Sequence, residues 1–233
     1  MTKKIYPVLG DFGKGIKGSK QLSFGTSGGR HCHVICDHHP DNEEGDKACY
    51  AAKNEKFRAN STGVKTARHE LMHPTLIVNY AISELVNKVL PTWFRFSVFS
   101  SMPKKVIAKS KGFKEAILRL VSMLDPKTTH IPVETNSKAE FYRELFPKEF
   151  VIRESLQSID ALETYEKQAS IVVGSWDQSP SERAELAYAI ASEQRKLGKR
   201  AVPCAAIVSN SKCGQCKACA SHSVDLVIYP LHK

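Results

Sequence analysis

Residues 170–207 read SIVVGSWDQSPSERAELAYAIASEQRKLGKRAVPCAAI. Ser170–Gly174 is three β-branched residues between small ones, the pattern of a buried strand. Ser179-Pro180-Ser181-Glu182 then offers a serine cap, a proline at the first helical position and a glutamate in the first turn. Those features start a helix. The helix is expected to run to Leu197 and to stop at Gly198, and Arg200–Ile207 reads as the next strand. A strand, a helix and a second strand in that order form a parallel βαβ unit.

The same alternation extends outward along the chain. Gln21–Gly25 reads as a strand. His69–Leu90 carries apolar residues at helical spacing, with Pro74 near its first turn and Pro91 beyond its end. Trp93–Phe99 is aromatic and β-branched, hence a strand, and Val106–Leu124 is helical up to Asp125-Pro126. Ile131–Glu134, Phe150–Glu154 and Val224–Tyr229 are further strands. Ala139–Leu145 and Ile159–Lys167 are further helices. About six strand-then-helix units result, too few for an eightfold barrel. The expected class is α/β, a partial (β/α)6 TIM-like barrel, with a doubly wound open sheet as the alternative. The expected divisions are a basic N-terminal extension at 1–20, the barrel at 21–203 and a cysteine-rich segment with the last strand at 204–233.

With 233 residues, 42% of them hydrophobic, the chain can bury a sizeable core. It has no run of 18 apolar residues, so no transmembrane helix is expected. Met1–Lys20 is rich in lysine and glycine and lacks the apolar stretch of a secretory signal. A cytoplasmic location is therefore expected, and clustered cysteines there bind metal more often than they form disulfides.

All seven cysteines fall into two groups. Cys204 is followed after eight residues by Cys213, then Cys216 and Cys219 at intervals of two. A tight C-x2-C-x2-C run suits the corners of a [4Fe-4S] cluster, whereas zinc sites more often use two separated pairs. The early group is Cys32, Cys36 and Cys49, crowded by His31, His33, His38 and His39. Three thiolates leave one coordination position open for chemistry; zinc held by Cys and His is the competing reading.

A β/α chain with a three-cysteine loop after its first strand resembles the radical S-adenosylmethionine superfamily. There the usual spacing is C-x3-C-x2-C; Cys32 and Cys36 match the first gap, while Cys49 follows after twelve residues. Ala48 stands where an aromatic residue usually precedes the third cysteine, and Tyr50 follows it. More closely, Cys49-Tyr50-Ala51, Phe94–Phe99 and Cys213–Cys219 followed by Val224–His232 resemble phage and plasmid proteins known as gene-product-eighty-eight-like. The resemblance implies two [4Fe-4S] clusters, the open one chelating S-adenosylmethionine and the second auxiliary. It also implies an external electron donor and a substrate that the sequence does not name. Polar residues near expected strand ends are candidate cofactor contacts: Ser97, Ser100, Glu134, Asn136, Arg153, Glu154 and Asp177. Of these, Arg153 and Glu134 stand out, because charges beside an apolar strand need partners.

A formal net charge of +10 favours a polyanionic partner and keeps open a second class, a metal-stabilised nucleic-acid-binding protein. The lysines are dispersed, and no aromatic-basic interleaving accompanies them. His31-Cys32-His33 with Tyr50 superficially resembles a metal-dependent nickase, although repeated βα units suit that reading badly. Gly25–Gly29 lacks the lysine and hydroxyl of a phosphate loop and reads as a turn.

Overall fold

The computed structural model describes residues 9–11, 19–22, 74–86, 88–96, 111–126, 128–131, 133–135, 139–166, 168–211 and 213–231. The chain divides into two compact units. One comprises Met1–Ile131 with Glu140–Glu149, and the other Pro132–Ala139 with Phe150–Lys233. Residues 204–233, read from the sequence as a segment apart, fall in the second unit with the strands before them. The α/β class holds in both units.

The first unit carries a sheet of β1 (Leu9–Asp11), β2 (Ser19–Leu22), β3 (Trp93–Phe96) and β4 (Thr129–Ile131), hydrogen-bonded in that order. β1 is antiparallel to β2, and the remaining pairs are parallel. Helices α1 (Pro74–Leu85) and α2 (Phe113–Met123) pack against one another. Pro74 stands at the first helical position of α1, where its missing N–H costs nothing. Ile77, Val78, Ala81 and Leu85 of α1 and Phe113, Ala116, Ile117 and Leu120 of α2 are buried, as are Phe94 and Phe96. Phe96 meets Phe146 edge to face, 5.3 Å between centroids. Phe146 follows α3 (Ala139–Leu145), whose bounds agree with the sequence reading.

The second unit holds five parallel strands: β5 (Val133–Thr135), β6 (Ile152–Leu156), β7 (Ala169–Val173), β8 (Ala201–Pro203) and β9 (Leu226–Pro230). Their order is β5-β6-β7-β9-β8. The last strand of the chain is thus inserted between β7 and β8, and the sequential order of a β/α barrel stops at β7. The burial explains the exchange. Leu226, Val227 and Ile228 are all buried, as a strand covered on both faces requires. Only Ala201 of the three-residue β8 is fully buried, and Pro203, which lacks an N–H, suits an edge.

Among the described residues between β6 and β7, a turn of 3-10 helix, Asp160–Glu163, stands in place of the expected helix Ile159–Lys167. The expected strand Arg200–Ile207 is cut short after Pro203, and Ala205–Val208 becomes the helical turn α5. The expected strand Ile131–Glu134 is likewise split between β4, which ends at Ile131, and β5, which starts at Val133.

Helix α4 (Pro180–Lys196) connects β7 to β8. Its start is a complete capping box. The Ser179 hydroxyl accepts from the Glu182 N–H at 3.2 Å, and the Glu182 carboxylate accepts from the Ser179 N–H at 2.6 Å. Gly198, at φ 79°, follows its end. Ala187 and Ala191 of α4 pack on Ala169, Ile171, Val173, Leu226 and Ile228.

The Ser179 hydroxyl, followed by its backbone N–H, holds the Glu182 carboxyl below its ordinary range. A lowered folded value adds stability at pH above the ordinary carboxylate range and loses it as pH falls through the lowered value. Ser179→Ala is expected to cost about 1 kcal/mol at neutral pH. The gap between its urea midpoint and that of the natural chain should narrow below roughly pH 4. A gap that stays constant to the lowest pH would assign the effect to the cap alone.

Candidate functional site

The connection from β8 to β9 runs across the sheet in the direction opposite to the β7–β8 connection. Parallel crossovers are right-handed, so the two connections cover opposite faces. Alternation along the strands agrees. Ala169, Ile171 and Leu156 point into the core beneath α4. Arg153, an odd number of residues from Leu156, faces the other side, where the cysteine-rich connection lies.

That connection starts at Cys204, directly after β8. Its N–H donates to the Ile228 carbonyl of β9 at 2.8 Å, and its carbonyl accepts from Ile207 and Val208. The chain turns through α5 and then α6 (Cys213–Cys216), which packs on α5. Positions 213 and 216 are three apart in a helical turn and so share one side of it. Lys217 follows at φ 49°, ψ 7°, in the left-handed region. A non-glycine residue pays about 1–2 kcal/mol for that conformation. It turns the chain sharply between Cys216 and Cys219, which lies in the 3-10 turn Ala218–Ala220. Cys216 is exposed, and Cys204 and Cys219 are half-buried.

Arg153 fastens the far end of this segment. Its side chain is fully buried. Nε donates to the Cys219 carbonyl at 2.9 Å and Nη2 to the Ser221 carbonyl at 3.1 Å. Nη1 donates to the Ala169 carbonyl at 3.2 Å and the Asp225 carbonyl at 3.5 Å. A guanidinium presents five donors in a rigid fork, and here four backbone carbonyls accept from it. The Asp225 backbone and carboxylate also meet Arg200, through Asp225 N to Arg200 O at 2.9 Å and Arg200 N to Asp225 Oδ2 at 2.7 Å. Asp225 lies three residues before Ile228, the partner of Cys204. Cys204 and the Arg153 contact therefore engage the β9 stretch at levels about 10 Å apart.

Arg153 thus braces the backbone around Cys219. Its register partner in β5 is Glu134, and Glu154, half-buried, pairs in register with Thr135 and Ala169. Asp177 is exposed in the turn after β7, and the Ser175 hydroxyl, then its own N–H, holds its carboxyl below the ordinary range. Ser97, Ser100 and Asn136 lie outside the described residues, as do Cys32, Cys36, Cys49 and the histidines near them. The Cys213 side chain is likewise outside them. Among the described residues, no three His, Cys, Asp or Glu side chains converge on a metal-sized point, and no helix is long and apolar enough to cross a membrane.

No protein-family model, curated protein or solved structure matches this chain. Its own residues therefore carry the functional reading. Two features escape the sequence pattern. Lys217 carries no composition signal for a left-handed turn, because glycine and asparagine are the usual markers. Arg183 sits in α4 among other charged residues, yet it is buried. Only Gly174, at the end of an apolar strand, hints at a close approach there.

Proposed function

We propose that this chain is a small iron–sulfur enzyme of the radical S-adenosylmethionine type, built on a partial β/α barrel. In this reading Cys32, Cys36 and Cys49 hold an open [4Fe-4S] cluster. Cys204, Cys213, Cys216 and Cys219 hold an auxiliary one. The single observation that carries the reading is the form of the Cys213–Cys219 segment. A helical turn, a left-handed Lys217 and a 3-10 turn wrap three cysteines within seven residues. Strain kept in a turn between cysteines suits a wrapped ligand better than a plain surface loop. The donor set, thiolates spaced C-x2-C-x2-C, fits iron–sulfur ligation, with zinc as the alternative metal.

When bound, the open cluster supplies one electron for cleavage of the S-adenosylmethionine sulfonium bond, so an external donor is needed. The chain's own part is positional. Arg153 keeps the Cys219 carbonyl, and with it the end of the ligand run, at a fixed level against β6 and β7. Two runs of parallel strands in chain order, β2-β3-β4 and β5-β6-β7, support the barrel component. Ser97, Ser100, Glu134, Asn136, Glu154 and Asp177 stay candidates for cofactor contact, and a cytoplasmic location and phage origin belong to the same proposal.

Anaerobic reconstitution tests it. Two clusters require about eight irons and eight sulfides per chain. S-adenosylmethionine should then alter the paramagnetic resonance of the reduced protein and be cleaved slowly to methionine and 5′-deoxyadenosine. A colourless protein with stoichiometric zinc would sink the reading. The net charge of +10 favours a second one, a metal-stabilised nucleic-acid-binding protein. Its signature would be DNA or RNA binding that weakens steeply with salt and no cofactor turnover.

A further inference from the structure

Arg183 of α4, packed against the turn that joins β7 to α4, has one buried donor without a partner among the described residues. Gly174, directly after β7, has φ 94°. A Cβ built there would stand 2.6 Å from Arg183 Cγ and 3.0 Å from both Arg183 Cδ and Gln178 Oε1. Glycine is required because the arginine stem lies against the backbone. Arg183 is only 6% exposed. Its Nε reaches the Ser179 carbonyl at 3.4 Å, and its guanidinium carbon lies 5.8 Å from the Trp176 ring centroid. Nη1 is buried and donates to nothing among the described residues. A buried donor left unmade costs about 1–3 kcal/mol, more when charged.

A second orphan lies at the end of the adjacent strand. Gln157 follows β6, and its Nε2 donates to the Ser155 carbonyl at 2.8 Å. Its Oε1 is buried and accepts from nothing among the described residues. Leu156 pairs with Ile171, so Gln157 is level with Val172, two residues short of Gly174. That places the two backbone positions roughly 8 Å apart at the C-terminal edge of neighbouring parallel strands. This edge is where open α/β sheets receive ligands, and the N-terminus of the 17-residue α4 opens onto it.

We infer that this edge binds a small carboxylate carrying a hydroxyl or amine next to its carboxyl group. The carboxylate oxygen completes Arg183 Nη1, the adjacent O–H or N–H donates to Gln157 Oε1, and Trp176, 38% exposed, covers the ligand. Two carboxylates set the charge limit. Asp177 stands in the turn, and Glu182 folds back on the Ser179 N–H. Beside one arginine they repel a phosphate dianion more strongly than a carboxylate monoanion. None of its residues is a cysteine, and only Asp177 is also among the candidate cofactor contacts.

The test titrates the full chain with glycolate, acetate and inorganic phosphate in turn, following Trp176 emission and backbone amide shifts. Glycolate is expected to saturate in the millimolar range, where a site of about 4 kcal/mol half-fills. The shifted amides should be those of residues 157–158 and 174–182. Acetate and phosphate should bind at least several-fold more weakly. Arg183→Gln should weaken glycolate about tenfold or more, and Arg183→Lys should restore it in part. Gln157→Met should leave acetate unchanged and erase the preference for glycolate. The amide shifts are read on the natural chain, so they decide the matter even if Arg183→Gln does not fold. Absence of saturation, shifts confined to other regions, or acetate or phosphate binding as tightly as glycolate would each overturn the inference.

Discussion

Arg153→Met is expected to destabilise the second unit by about 3–5 kcal/mol, among the largest effects of any single substitution in this chain. The methionine fills most of the volume but donates nothing. Four buried or half-buried carbonyls, of Cys219, Ser221, Ala169 and Asp225, then lose a charged donor. Each would have to find water or stay unmade, at about 1–3 kcal/mol for a group that remains dry. Urea unfolding measures the total. Amide exchange over residues 219–228 locates it, because that stretch should open first. Arg153→Lys should recover only part, since an ammonium has three donors and no planar fork to span carbonyls of β7 and of the segment before β9. A loss below about 1 kcal/mol, with exchange over 219–228 unchanged, would show that the segment is held by other means.

Cys216→Ser is expected to lose about half of the iron and sulfide bound after anaerobic reconstitution, if roughly four of eight irons sit in the late site. The side chain is exposed, so the substitution removes the thiol without opening the core. Under the proposed reading, metal ligation adds to folding energy in the natural chain. The variant should therefore lose protection over Cys204–Cys219 while β6 and β7 keep theirs. The early site should still respond to S-adenosylmethionine. Unchanged iron would remove Cys216 from the ligands. Loss of all iron would point to a single shared site.

These two effects differ in how far they can be read from the sequence. The cysteine spacing is local and covalent. Spacing alone suggests that Cys213, Cys216 and Cys219 act together, and the helical turn with its left-handed Lys217 is the backbone form the spacing takes. The partners of Arg153 are 16 to 72 residues away. Sequence pattern flags Arg153 as a charge in an apolar strand that needs partners; it does not say that they are backbone carbonyls. Arg183 is hidden for the same reason. One buried arginine on a polar helix resembles its exposed neighbours until Gly174 and Trp176 are folded against it.

The sequence by itself determined the features that depend on neighbours in the chain. Ser179, Pro180 and Glu182 start α4 because the orphan N–H groups of a helix find their acceptors within three residues. Ala139–Leu145 is a helix, Ala169–Val173 is a buried strand, and alternation of the two makes the α/β class, all from local spacing of apolar side chains. Tertiary structure alone decided which strand lies beside which. Strand pairing is a contact between distant segments, set by which strand can be covered on both faces. Leu226–Pro230 therefore displaces Ala201–Pro203 from the centre of the sheet although it comes later in the chain. That exchange sends the cysteine-rich connection to the face opposite α4, where Arg153 can reach it.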